Sequence, residues 1–294
     1  MATYLTSNQR VFVIKSLVFF SLVRWYNLLL IAAAQYLTAI KILNPDYTML
    51  QILSMPQLHW IVFSTALIIA GGYLINAFYD YEKDLANHGE DVIINKIISK
   101  RFAINAYLFC NSFALLIGVV LNIKLALFYG LLIFFALVLL AQTKKNALLG
   151  NFCASFLAVS AFLSICIFYW DINKLIVMYA TYIGLIALIR EVLKDLVAIK
   201  GDMLFGYKTF PVLFGIKKTK LLLVPLMLLC VPIGYFLFSY LYPSYSAFYF
   251  SVSFTGIFVW MFYLIFSTDE MNFRKLDNFY KLMIVLGVLN IMFV

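Results

Sequence analysis

The sequence predicts an all-α polytopic membrane protein with nine transmembrane helices and a cytoplasmic N-terminus. Three observations carry that expectation. Hydrophobic residues make up 65% of the 294 positions and charged residues 12%, more apolar surface than a soluble chain of this length can bury. The apolar residues fall in runs of about 20, the length that crosses a bilayer. The basic residues concentrate on alternate connecting segments, as cytoplasmic loops do.

The expected spans are about 16–43, 58–79, 104–122, 125–142, 147–169, 172–194, 220–241, 246–267 and 278–294, in a single domain over 1–294. The first holds a charge, Arg24, and Asn27 in RWYN. The second starts near Trp60 and closes on NAFYDYEKD. The third and fourth are divided by a short polar step at Asn122 and Lys124. The fifth opens with KKNALLGN and stops at Trp170, and the sixth closes on REVLKD. A polar stretch of about 195–219 leads to the seventh. The last is short and ends at Val294. The leading MATYLTSNQR lacks the features of a cleavable secretory signal.

With the N-terminus inside, the cytoplasmic segments carry Arg10, Lys15, Arg24, Lys83, Lys96, Lys100, Arg101, Lys144, Lys145, Arg190 and Lys194. They also carry Lys200, Lys208, Lys217, Lys218, Lys220, Arg274, Lys275 and Lys281. Only Lys41, Lys124 and Lys174 fall opposite, where Trp60 and Trp170 make an aromatic belt. The net charge of +9 is therefore read as topology, and nucleic acid is excluded as a partner because no basic soluble domain exists to hold it. Cys110, Cys153, Cys166 and Cys230 lie in apolar runs and read as packing. His59 and His88 are too few for a haem or a histidine metal site.

The acidic residues carry the chemistry. Eight of the 13 cluster after two of the apolar runs: Asp80, Glu82, Asp84, Glu90 and Asp91, then Glu191, Asp195 and Asp202. A carboxylate in or near a bilayer is costly and marks function by default. Asn76, Asp80 and Asp84 are spaced by four and share a helix face, each ~40° from the last. Glu191, Asp195 and Asp202 share a face if their helix continues that far. Converging carboxylates repel unless cations lie between them. Oxygen-only ligands suit magnesium, which bridges one or two carboxylates to substrate phosphates. The expected metal ligands are Asn76, Asp80, Asp84, Glu191, Asp195 and Asp202. Arg24, Lys144, Arg190 and Lys208 form a cationic rim suited to phosphate. A metal-friendly anionic face, a cationic rim and an apolar interior suit a diphosphate head on a lipid tail.

Blander readings stand beside these. Glu82, Lys83 and Glu90 fit a solvated loop. Arg24 fits snorkelling as well as a site role. Lys217, Lys218 and Lys220 fit membrane anchoring. Asp80, Asp84 and Asp202 could pair with Arg190 or Lys194. Intramembrane acids also mark transport pathways, though transporters place them near the midplane.

The motifs together resemble the UbiA superfamily of intramembrane prenyltransferases. Asn76, Asp80 and Asp84 match its first motif, N-x-x-x-D-x-x-x-D. In REVLKDLVAIKGDMLFGYKTFPVLFG, Arg190, Glu191, Asp195, Gly201, Asp202, Gly206, Thr209, Pro211 and Gly215 match its second region. Lys144, Gly150 and Asn151 match a third pattern, and Arg24 and Asn27 a fourth. Ala77, Ala198, Lys200, His88, Gly89, Asp91 and Val92 depart from it. Ala198 removes a family metal ligand, and Asp91 places a negative charge where a basic residue is usual.

The resemblance implies nine helices and a cytoplasmic active site. It implies Asp80, Asp84, Asp195 and Asp202 as catalytic residues acting with magnesium. It also implies Arg24, Asn27, Asn76, Lys144, Arg190 and Lys208 as substrate-binding residues, and a polyprenyl diphosphate donor drawn from among membrane lipids. The second region looks most like the geranylgeranylglycerol-phosphate geranylgeranyltransferase branch, whose acceptor is hydrophobic. An aromatic acceptor, a terpene cyclase and a non-catalytic binder of isoprenoid diphosphates stay open. Magnesium with geranylgeranyl diphosphate should raise the melting temperature of the wild type but not of Asp80→Ala or Asp84→Ala; protection in both variants would refute the metal assignment.

Overall fold

The computed structural model describes residues 7–79, 99–142 and 147–294. Every element among them is helical. The expected first span, 16–43, is two helices: α1 (Ser7–Leu22) and α2 (Trp25–Thr38), the latter running on as a π-helical turn, Ala39–Leu43. Arg24 separates them with left-handed backbone angles, φ 52 and ψ 56, a conformation that costs a side-chain-bearing residue about 1–2 kcal/mol and cannot continue a right-handed helix. No apolar pattern reports such a break, because hydropathy does not sense φ.

A short α3 (Met49–Leu53) follows, opened by a reciprocal capping box between Thr48 and Gln51. The long helices come next: α4 (Pro56–Tyr79), α5 (Lys100–Leu121), α6 (Ile123–Gln142), α7 (Ala147–Tyr169) and α8 (Lys174–Val197). Ser99 caps α5 and Asn173 caps α8 by accepting backbone N–H bonds. The chain continues through α9 (Ile199–Leu204), α10 (Phe210–Leu241), α11 (Tyr245–Phe266), α12 (Glu270–Asn290) and a 3₁₀ turn, Ile291–Phe293.

Seven helical segments among the described residues are long and apolar enough to cross a membrane. An eighth is reached only by joining Leu149–Ser160 to Phe162–Tyr169 across a 54° bend, and the run expected at 125–142 yields the shorter apolar helix Ile123–Val138. The protein is an integral membrane protein, with seven such spans by length and composition among the described residues.

The helices close a ring. Each of α4 to α8 packs on its successor; α8 also packs on α10 and α12, α11 bridges α10 and α12, and α12 meets α2, which lies on α4. The centre of this arrangement is α8. Tyr179, Tyr182, Ile186, Ile189, Leu193 and Leu196 are each no more than 1% exposed. Their alternating spacing of three and four makes one continuous buried stripe.

Polar groups inside the bundle are tied to one another, as a medium without water requires. Asn290 Nδ2 donates to Ser246 Oγ at 2.8 Å and to the Tyr179 hydroxyl at 3.1 Å. Tyr182 donates to Ser253 Oγ at 2.9 Å, and the Ser64 and Tyr129 hydroxyls lie 2.7 Å apart. All four cysteines are buried and unbonded to sulfur, as expected of packing residues. Helix α5 approaches α6 most closely at Gly118, where a Cβ would stand 3.0 Å from both Ala126 Cα and Tyr129 Cδ2. Gly118→Val should therefore lower the melting temperature by several degrees, the effect of about 1–3 kcal/mol of overpacking. An unchanged melt in nanodiscs would contradict this close approach.

Candidate active site

The buried stripe of α8 fixes which residues leave the core at its last turns. Arg190, Glu191, Lys194 and Asp195 lie beside the stripe and are partly exposed. Each has a defined partner. Arg190 Nε donates to Asp277 Oδ1 of α12 at 2.9 Å, with both side chains 19% exposed. Lys194 Nζ donates to Glu191 Oε1 at 2.5 Å. Asn151 Nδ2 of α7 donates to Asp195 Oδ2 at 2.8 Å.

The expected common face of Glu191, Asp195 and Asp202 does not exist. Helix α8 stops at Ala198, and Asp202 belongs to the separate α9. Asp202 is fully buried. Its Oδ2 accepts from Thr209 Oγ1 at 3.1 Å, and its backbone carbonyl accepts from the Tyr207 amide at 2.9 Å. Gly206, at φ 66, turns the chain back between them. Thr209 is also the N-cap residue of α10, with Pro211 just inside it. Thus the GYKTFP segment folds over the α8–α9 junction, leaving Lys208 exposed and Tyr207 buried.

Helices α2 and α4 bring a second group to the same end of the bundle. Asn27 Nδ2 donates to the Tyr73 hydroxyl at 2.8 Å, and the Arg24 guanidinium lies 5.0 Å from the Tyr73 ring centroid. Glu191 is within electrostatic reach of Tyr73 and of Arg24. Asn76 stands one turn beyond Tyr73, as Asp195 stands one turn beyond Glu191, so both lie toward the same end. Asp80, Asp84 and Lys144 lie outside the described residues.

The structure therefore gathers Arg24, Asn27, Arg190, Glu191 and Lys194, ties Asp195 to α7, and seats Asp202 beneath Thr209. Glu191, expected as a metal ligand, is turned to Lys194. Arg190, expected at phosphate, is turned to Asp277. Sequence reasoning passed over Tyr73 and Asp277. The one available signal for Asp277 was a lone carboxylate at the margin of an apolar run; nothing in the pattern marked Tyr73. Among the described residues no three His, Cys, Asp or Glu side chains come together as a metal site. Asp195 and Asp202 supply hard oxygen donors only, a set that fits magnesium better than zinc or a softer metal.

Residues 47–286 match the family model for UbiA prenyltransferases. The chain belongs to the UbiA prenyltransferase family. A curated relative, digeranylgeranylglyceryl phosphate synthase of Sulfurisphaera tokodaii, is 35% identical over 162 residues, which cover 52% of this chain and 56% of that one. This chain thus spans little more than half the length of that UbiA relative. The fold matches a solved structure described under digeranylgeranylglyceryl phosphate synthase in membranes. That match has a TM-score of 0.70 at 20% identity and covers 95% of this chain and 99% of the other. A UbiA homologue from Archaeoglobus fulgidus bound to GPP and Mg2+ matches with a TM-score of 0.67 at 18% identity, over 95% and 100% of the two chains.

The Arg190–Asp277 pair joins α8 to α12 across the UbiA ring. Asp277→Asn should destabilise the protein by roughly 3 kcal/mol, because a mostly buried guanidinium is left without its counter-charge. The Arg190→Gln/Asp277→Asn double variant should recover much of that loss. Strictly additive losses in thermal melts would show that the pair is not coupled.

Proposed function

We propose that this chain is a magnesium-dependent prenyltransferase that moves a polyprenyl group from an allylic diphosphate to geranylgeranylglyceryl phosphate. One observation carries the reading: the oxygen-bearing ends of α4 and α8 lie at one end of the bundle, where Tyr73 feels the Glu191 charge and Asp195 is held by Asn151. The donor class is supported by the A. fulgidus homologue bound to GPP and Mg2+. The acceptor is supported by the curated S. tokodaii relative.

In this reading Asn76, Asp80, Asp84, Asp195 and Asp202 hold magnesium and the donor diphosphate. The bound metal would neutralise the charge that builds on the departing diphosphate. Lys144 and Lys208 add positive charge at the diphosphate. Arg190 anchors α12 to α8 through Asp277 and adds its field to the same end. Asn151 fixes the rotation of Asp195 by donating to its Oδ2. Arg24 and Asn27, braced on Tyr73, orient substrate. The apolar inner faces of the helices exclude water from the allylic cation.

The basic residues concentrate on alternate connecting segments of the sequence, which supports a cytoplasmic site, nine crossings in one domain and a cytoplasmic N-terminus. A second reading, a binder that no longer transfers, is favoured by one feature. Ala198 stands at the end of α8, where the resemblance calls for a carboxylate.

The test is a transfer assay on purified protein in nanodiscs. Labelled geranylgeranyl diphosphate and magnesium would be offered with geranylgeranylglyceryl phosphate, and separately with aromatic acids. The expected result is product with the phosphorylated lipid, lost with chelator and in Asp80→Ala. Product with aromatic acids alone would overturn the acceptor, and donor binding without turnover would support the silent binder. Ala198→Asp should hold or raise the rate; a large loss would mean that the site is built around alanine.

A further inference from the structure

Near the α8 end of the bundle, electrostatics and ring contacts link four cations and two anions of α2, α8 and α12, beside Asp195, which Asn151 holds. Two of the cations are neutralised by contact: Arg190 by Asp277 at 2.9 Å and Lys194 by Glu191 at 2.5 Å. The other two make no ion pair with any described residue. Arg24 faces the Tyr73 ring at 5.0 Å, and Lys281 Nζ lies 4.8 Å from the Tyr26 ring centroid. Cation–π contact of this kind holds a charge in place without cancelling it.

Lys281 stands one turn beyond Asp277 on α12, and Tyr26 two residues beyond Arg24 on α2. Both cations therefore sit where α12 meets α2 and closes the ring. These six linked groups sum to +2, and Asp195 and Asp202 are engaged by Asn151 and Thr209.

A phosphomonoester carries close to −2 at neutral pH, whereas an aromatic carboxylate carries −1. We infer that Arg24 and Lys281 form the binding site for the phosphate of the acceptor lipid, with Lys281 as the residue that selects a phosphorylated acceptor. The inference rests on the proposed prenyl transfer and adds a second anion site to it, separate from the one that holds the donor diphosphate. The aromatic faces of Tyr26 and Tyr73 pre-position both cations, so little side-chain entropy is lost when the phosphate arrives.

The experiment compares wild type, Lys281→Met and Lys281→Arg, measuring KM separately for donor and acceptor. The acceptors are geranylgeranylglyceryl phosphate and geranylgeranylglycerol, which lacks the phosphate. In Lys281→Met the KM for the phosphorylated acceptor should rise at least about tenfold, the size of one lost charge-assisted contact. Its preference over the unphosphorylated lipid should shrink to match, while the donor KM stays within about twofold. Lys281→Arg should restore the preference. Thermal protection by magnesium and geranylgeranyl diphosphate should be equal in all three proteins, which separates a binding defect from a folding defect.

A rise in donor KM, or an unchanged phosphate preference in Lys281→Met, would overturn the inference while leaving prenyl transfer intact. A wild type that makes no product from geranylgeranylglyceryl phosphate, and gains no thermal protection from that lipid alone, would overturn both readings.

Discussion

The rest of the structure depends on the buried stripe of α8. Six side chains from Tyr179 to Leu196 alternate at spacings of three and four and are almost wholly excluded from solvent. Such a stripe allows one rotation of the helix about its axis, since a turn of even one residue would expose Tyr or Ile and bury Lys. With that rotation fixed, Arg190 meets α12, Asp195 meets α7, and Glu191 pairs with Lys194. The arrangement at the end of α8 is thus a consequence of packing nearly five turns long. The stripe then ends, and Ala198 releases the chain into the short α9 that buries Asp202.

A bilayer makes every unsatisfied polar group expensive, and this chain handles its polar groups in two distinct ways. Away from the site they are consumed in fixed hydrogen bonds, such as Asn290 to Ser246 and Tyr179, or Tyr182 to Ser253. These lock helices without leaving charge. At the site end the groups are ionic and, Asp202 apart, only partly hidden. The contrast between neutral, closed networks and charged, open ones divides the bundle into a scaffold and a reactive end.

Much of this was legible in the chain. Apolar runs announced the membrane helices, and Arg24, Asn27, Glu191 and Asp195 were marked by their charge or polarity inside those runs, while Asp80 and Asp84 lie outside the described residues. The failures have physical causes. The break at Arg24 comes from a backbone angle that leaves no trace in hydropathy. The end of α8 at Ala198 was hidden because alanine is a strong helix former, so Asp202 was assigned to a face that does not reach it. The partners of Arg190 and Asp195 come from α12 and α7, more than 40 residues away in sequence. Spacing along one helix cannot disclose contacts of that kind. Tyr73 looked like any aromatic in an apolar run until α2 placed Arg24 and Asn27 against it.

The central claim is that Asp195 at the end of α8, with Asp202 on the separate α9, holds a metal-bound diphosphate. The most direct measurement is the electron spin echo spectrum of Mn2+ substituted for magnesium, recorded with a prenyl diphosphate and carboxylate-13C-labelled aspartate. The account predicts coupling of the manganese to both phosphorus and aspartate carbon, with the carbon signal reduced in Asp195→Asn. Manganese bound without phosphorus coupling, or a carbon signal indifferent to Asp195, would contradict it.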